Sequence, residues 1–101
     1  MKLFLMRHGI AENGSSYAQD ADRPLTAEGA HEIKQVTKGL AALGVAFDLM
    51  VSSPFKRARQ TAEITAKDLD LEKHLMFHSS LEVGGDIAKL ILDLARDPKR
   101  A

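Results

Sequence analysis

Three short apolar runs, each followed by a polar turn or a stretch of helical period, most constrain what this chain can fold into: Leu3-Phe4-Leu5-Met6, Phe47-Asp48-Leu49-Met50-Val51 and His74-Leu75-Met76-Phe77. Runs of this length read as strands, and their alternation with helical patterns gives β-loop-α-β-α-β-α, an α/β fold. The first run has the composition of a buried strand that opens the sheet. Thr26 fits the N-cap of the first helix, whose stripe Ala30, Ile33, Val36 or Thr37, Leu40 and Leu43 faces the sheet, with Gly44 at its C-terminal stop. Ser53 and Pro54 mark the start of the second helix, a capping hydroxyl followed by proline at the first helical position, with Phe55, Ala58, Ala62, Thr65 and Leu69 as its core face. A third helix is expected over Asp86 to Arg96, with Ile87, Leu90, Ile91 and Leu94 inward and Asp97-Pro98 ending it.

Composition excludes more than it selects. At 101 residues there is room for one domain. Lysine plus arginine number 14, as do aspartate plus glutamate, and the isoelectric point is near 6.9. That balance argues against the broad basic field of a nucleic-acid or anionic-membrane binder, so neither partner is expected. The absence of cysteine removes disulfides, thiolate catalysis and cysteine metal sites. The apolar run before Arg7 is too short for a signal peptide or a membrane span, and a cytoplasmic domain is expected. No repeat, low-complexity tract or linker divides the chain.

Chemistry concentrates at the ends of the first two runs. Arg7-His8-Gly9 follows the first, where the glycine lets the backbone turn away, and carboxyl-end crevices of open α/β sheets are where ligands bind. A neutral imidazole there can attack phosphorus, and an arginine fork matches two phosphoryl oxygens at once. The tripeptide alone equally fits an imidazole filling a strand end beside a solvated arginine. After the second run comes Ser52-Ser53-Pro54-Phe55-Lys56-Arg57-Ala58-Arg59-Gln60-Thr61-Ala62. Arg57, in the first turn after the strand, can reach back over the sheet edge, where helix-start amides also favour an anion. Arg59, about 200° further around the helix, points elsewhere. The segment from Glu12 to Arg23, with Asn13-Gly14-Ser15-Ser16 and Asp20-Ala21-Asp22, fits a flap over the site or a plain surface connection.

Taken together, Arg7-His8-Gly9, Arg23-Pro24-Leu25-Thr26-Ala27-Glu28-Gly29 and the Ser52 to Ala62 segment resemble the histidine phosphatase superfamily. Ile10-Ala11 after the first motif resembles the small phosphohistidine phosphatases of the SixA type rather than the phosphoglycerate mutases. The resemblance implies a three-layer α/β/α, phosphoglycerate mutase-like fold, incomplete at the C-terminus, with residues 1–101 as the N-terminal part of a single histidine phosphatase domain. It also implies a phosphatase that works through a phosphohistidine on His8, with Arg7 and Arg57 holding the phosphoryl oxygens and with no metal or cofactor required.

The same resemblance implies a phosphohistidine-bearing signalling protein, such as a phosphotransfer domain, as substrate and partner. A general or small-molecule phosphomonoesterase is the alternative within the superfamily, and a non-catalytic phosphate-binding or interaction fragment is the alternative outside it. The family's second catalytic histidine follows a later strand, and this sequence stops at Asp97-Pro98-Lys99-Arg100-Ala101, before it. No more than weak activity is therefore expected of these 101 residues. Of the other histidines, His31 falls within the first helix and His74 opens the third run; His78, at a strand end, is the one kept as a substitute. Glu82 is the nearest candidate for an acid that would protonate a leaving alkoxide. In the resembled fold the strand bearing the second histidine lies between the first two strands. Without it their backbone edges would be left unpaired at the centre of the sheet, so the natural protein is expected to continue past Ala101, or these runs to pair directly or borrow a strand from another copy.

Overall fold

The computed structural model describes residues 3–82 and 84–96. Three α-helices and two strands order themselves as α1 (Ala27–Ala42), β1 (Met50–Ser52), α2 (Lys56–Asp68), β2 (Leu75–Phe77) and α3 (Ile87–Arg96), with short 3-10 turns between them. β1 and β2 pair in parallel, Met50 opposite Leu75 and Ser52 opposite Phe77, with α2 as the crossover between them. This is an α/β unit, and it places the start of α2 directly beyond the carboxyl end of β1.

Local signals account for α1. Thr26 is extended and its hydroxyl accepts from the Gly29 N–H at 2.9 Å, so the N-terminus is capped by the residue the sequence nominates. Gly44, with φ of +69°, closes the other end, donating its N–H to the Ala41 carbonyl. The buried face is Gly29, Ile33 and Thr37. Between the expected alternatives Val36 and Thr37, the interior takes Thr37, because its hydroxyl donates to the Ile33 carbonyl at 2.8 Å and leaves only methyl surface to pack. Leu43 remains 77% exposed, since the helix has ended before it can turn inward.

α2 departs from the expectation at both ends. Ser53 does not cap the helix and Pro54 is not its first residue: the Ser53 hydroxyl accepts from the Phe55 N–H, a local turn that delays the helix to Lys56. At the far end Asp70, with φ of +56°, does the work usually left to glycine, and the Leu71 N–H reaches back to the Ala66 carbonyl. The buried face is Arg57, Thr61, Ala62, Thr65 and Ala66: of the expected set Ala62 and Thr65 are buried, Phe55, Ala58 and Leu69 are half-buried, and Arg57, Thr61 and Ala66 take the remaining interior positions. α3 begins at Ile87, with Leu90 its buried residue; Ile87 is 47% exposed. The expected stop at Asp97-Pro98 lies outside the described residues.

The first apolar run is the principal correction. Residues 3–6 form no strand, and their exposures are 51, 57, 85 and 44% rather than those of a buried strand. A strand is held by its neighbours, and among the described residues the sheet offers this run no ladder. It instead makes side contacts, Phe4 edge-on to Phe47 at 5.1 Å between ring centroids and Met6 Sδ 3.9 Å from the Thr65 hydroxyl. The expected direct pairing of the first two runs does not form among the described residues.

Candidate functional site

The segment after that run is fixed where the run itself is not. The Gly9 N–H donates to Thr61 Oγ1 at 3.1 Å, and Thr61 in turn donates to the Arg57 carbonyl, so α2 grips the backbone beside His8. Ile10 accepts from the Thr26 N–H and Glu12 donates to the Pro24 carbonyl, an antiparallel bridge at Ala11 and Leu25 that closes residues 12–24 into a loop. Gly9 does not have a positive φ, so it is not there for a sharp turn. A Cβ on it would lie 3.0 Å from the Gly29 carbonyl oxygen and from Ile33 Cγ1. Gly29 is tighter still, its hypothetical Cβ falling 2.4 Å from the Ile10 oxygen. The two glycines let the His8 segment lie directly on the start of α1.

His8 and Arg57 meet across this junction. His8 Nδ1 lies 2.8 Å from its neighbour's carbonyl, Gly9 O, and a carbonyl can only accept, so Nδ1 carries the proton. Nε2 then holds the free lone pair, and it faces the Arg57 Nε–H at 3.3 Å. Arg57 is 6% exposed, its guanidinium carbon 5.0 Å from the centre of the Phe55 ring. The remaining edge of the guanidinium goes to the loop: one terminal nitrogen donates to the Asp20 carbonyl at 2.8 Å, the other to Asp20 Oδ2 at 2.9 Å.

The loop is thereby a flap tied to the site. Arg23 Nε donates to Asp20 Oδ1 at 2.8 Å and a terminal nitrogen of Arg23 to the Glu12 carbonyl, while the Tyr17 hydroxyl donates to the Glu12 carboxylate. The Arg57 hydrogen bond above all, with help from Arg23, holds the Asp20 carboxyl below its ordinary value of 3.8. The bond to Glu12 pushes the Tyr17 hydroxyl up. Gln60 adds a tie at the loop's base, its side-chain oxygen accepting from the Leu25 N–H.

The other nominated residues are placed elsewhere. Arg7 is exposed, and among the described residues its side chain makes no hydrogen bond or ion pair, so the structure joins His8 to Arg57 but not to Arg7. Arg59 points away and pairs loosely with Glu63 at 3.5 Å, both about half exposed. His31 is exposed on α1, near Gln35, and His74 is exposed before β2. His78 caps the turn after β2, its Nδ1 accepting from the Ser80 N–H. Glu82 ends that turn and makes no side-chain hydrogen bond among the described residues. Asp20 and Thr61 were not nominated as site residues. Arg23 and Thr61 stand inside the quoted motifs, whereas nothing in the residue pattern distinguishes Asp20 from Asp22. Among the described residues no three His, Asp or Glu side chains cluster as metal ligands, and no helix is long and apolar enough to cross a membrane.

Comparison with known proteins returns one family. The sequence pattern of the histidine phosphatase superfamily (branch 1) matches residues 3–77. The chain is 41% identical over 96 residues to an uncharacterized protein of Picosynechococcus, covering 95% of this chain and 58% of that protein. It is 34% identical over 87 residues to the phosphohistidine phosphatase SixA of Escherichia coli, covering 86% and 53%. Among solved structures, the protein histidine phosphatase SixA complexed with tungstate superimposes with a TM-score of 0.76 at 29% identity, covering 95% of this chain and 62% of that one. The chain thus spans a little over half the length of these relatives.

Proposed function

Because this chain belongs to the histidine phosphatase superfamily, we propose that residues 1–101 form the N-terminal part of a single such domain and that it removes phosphoryl groups from protein phosphohistidine through His8. The observation that carries this reading is the state of His8: Nδ1 spent on the Gly9 carbonyl, Nε2 unprotonated and turned to Arg57. The Nε2 lone pair attacks phosphorus, the phosphorus–nitrogen bond to the substrate imidazole breaks, and that imidazole leaves, a far easier departure than an alkoxide. Water then hydrolyses phosphorylated His8 and releases inorganic phosphate. The transition state is loose, so catalysis rests on holding the charged equatorial oxygens. Arg57 does so from its buried seat, and Arg7, exposed and free of other partners among the described residues, turns in when the anion arrives.

Similarity to SixA supports phosphohistidine as the substrate class. The partner is then a phosphohistidine-bearing protein, of which a phosphotransfer domain in a signalling pathway is one kind, and the setting is the cytoplasm. The test is transfer itself. A phosphotransfer domain carrying labelled phosphohistidine should pass acid-labile label to this chain, and His8→Ala should abolish the transfer. Transfer from an aryl phosphate but not from phosphohistidine would favour the general phosphomonoesterase, and no transfer from either would favour a binding fragment.

A further inference from the structure

Arg57 presents two edges, and they are used differently. One edge, the two terminal nitrogens, is taken by the Asp20 carbonyl and carboxylate at 2.8 and 2.9 Å. The other, formed by Nε and the outer hydrogen of one terminal nitrogen, faces His8. A guanidinium has no conformational means of showing one edge to an anion except rotation of its whole stem, so whatever holds the first edge aims the second. We propose that Asp20 is a positioning residue: by occupying the terminal nitrogens of Arg57 it turns the Nε edge onto the atom of His8 that receives the phosphoryl group. The inference rests on the reading of His8 as that acceptor.

Three observations separate this from an ordinary surface ion pair. The Arg57 side chain is 7% exposed while that of Asp20 is 54% exposed, so the buried partner is the one that depends on the contact. Losing the Asp20 carboxylate would leave one terminal N–H group of Arg57 without an acceptor, while the backbone carbonyl of residue 20 keeps the other. Asp20 is itself braced on its second oxygen by Arg23, which also reaches the Glu12 carbonyl, so its carboxylate is held at both ends. Finally, two of the five guanidinium N–H groups are spent on Asp20, and the Nε–H, which meets only the His8 Nε2 at 3.3 Å, lies on the other edge, where an anion entering between Arg57 and His8 would take it over. Asp20 therefore does not fill the anion's place.

The experiment compares the unaltered chain with Asp20→Ala and Asp20→Asn in two measurements. Ring nitrogen NMR of His8 in the ligand-free chain reads the approach of Arg57 to Nε2. Titration with tungstate reads the anion site. Asp20→Ala should shift the His8 Nε2 resonance toward that of an imidazole without a donor and weaken tungstate binding about tenfold, the scale of one hydrogen bond to a charged group. Asp20→Asn, which keeps an acceptor oxygen, should recover most of both, and circular dichroism checks that each variant folds. Unchanged His8 resonances in both variants would overturn the proposal. So would tighter tungstate binding by Asp20→Ala, which would make Asp20 a competitor of the anion. A His8 response without tungstate binding by the unaltered chain would instead refute the phosphoryl site and leave the aiming of Arg57 standing.

Discussion

Thr61→Val removes a single oxygen from the centre of the site and changes the volume hardly at all. The Thr61 side chain is 5% exposed, its Oγ1 accepting from the Gly9 N–H at 3.1 Å and donating to the Arg57 carbonyl at 2.8 Å. The Arg57 carbonyl keeps its helical partner, so the cost falls on the Gly9 N–H, part-buried against α1. A buried donor left without an acceptor costs about 1–3 kcal/mol. No cavity adds to this, because valine refills the space. Thr61→Ser keeps the oxygen and loses one methyl, about 0.8 kcal/mol. Urea unfolding of the three proteins should therefore rank valine as the least stable, and amide exchange at Gly9 should accelerate in that variant only. If serine and valine cost the same and Gly9 exchanges alike in both, Thr61 acts by packing, and its grip on the His8 segment is refuted.

Gly29→Ala forces a Cβ to within 2.4 Å of the Ile10 carbonyl oxygen, a backbone atom that cannot swing aside, so the loss should be about 1–3 kcal/mol or more by thermal unfolding despite alanine's better helix propensity. The flap should also respond to acid. Because the Asp20 carboxyl is held below 3.8 when folded, its pairing with Arg57 and Arg23 is fully present above that value and is lost as pH falls through the lowered one. Protease nicking within residues 12–23 should therefore be flat from neutral pH down to about 4 and rise only in stronger acid; a rise that begins near pH 6 would implicate a histidine instead. Arg59→Ala should leave tungstate binding unchanged while Arg57→Ala abolishes most of it, because among the described residues the Arg59 side chain pairs only with Glu63; equal losses would refute the placement of the two side chains.

Elements with local causes were legible in the sequence. The cap at Thr26, the glycine at 44 and the spacing of Ile33 and Thr37 specify α1 with no reference to the rest of the chain. The strands were legible as apolar runs, though among the described residues only Met50–Ser52 and Leu75–Phe77 are ladder-paired. Residues 3–6 carry an equally apolar pattern and yet stay exposed, because hydrophobic pattern states a demand for burial and the partner that meets it is a long-range matter. The start of α2 misled for the opposite reason. Ser53 and Pro54 offer a textual helix start, but the serine hydroxyl has a nearer donor in the Phe55 N–H, and local competition of this kind does not register in residue spacing.

The site was half legible, and the boundary falls between residues that carry chemistry and residues that aim them. His8 and Arg57 declare themselves by type and by their place at strand ends. Asp20, at position 37 residues before Arg57, declares nothing, since its role exists only once the bridge at Ala11 and Leu25 has closed the loop over α2. The buried face of α2 explains why an apolar-stripe reading of that helix finds Ala62 and Thr65 but misses Arg57 and Thr61. Arg57 and Thr61 occupy interior positions at the cost of desolvating a charge and a hydroxyl, a cost that is met only because Asp20 and the Gly9 N–H supply their partners. Polar residues on the inner face of a helix next to a strand end are thus a signal in their own right: they mark where the fold gives up apolar burial to hold a guanidinium against an imidazole, and the residues that satisfy them are where the rest of the site is to be found.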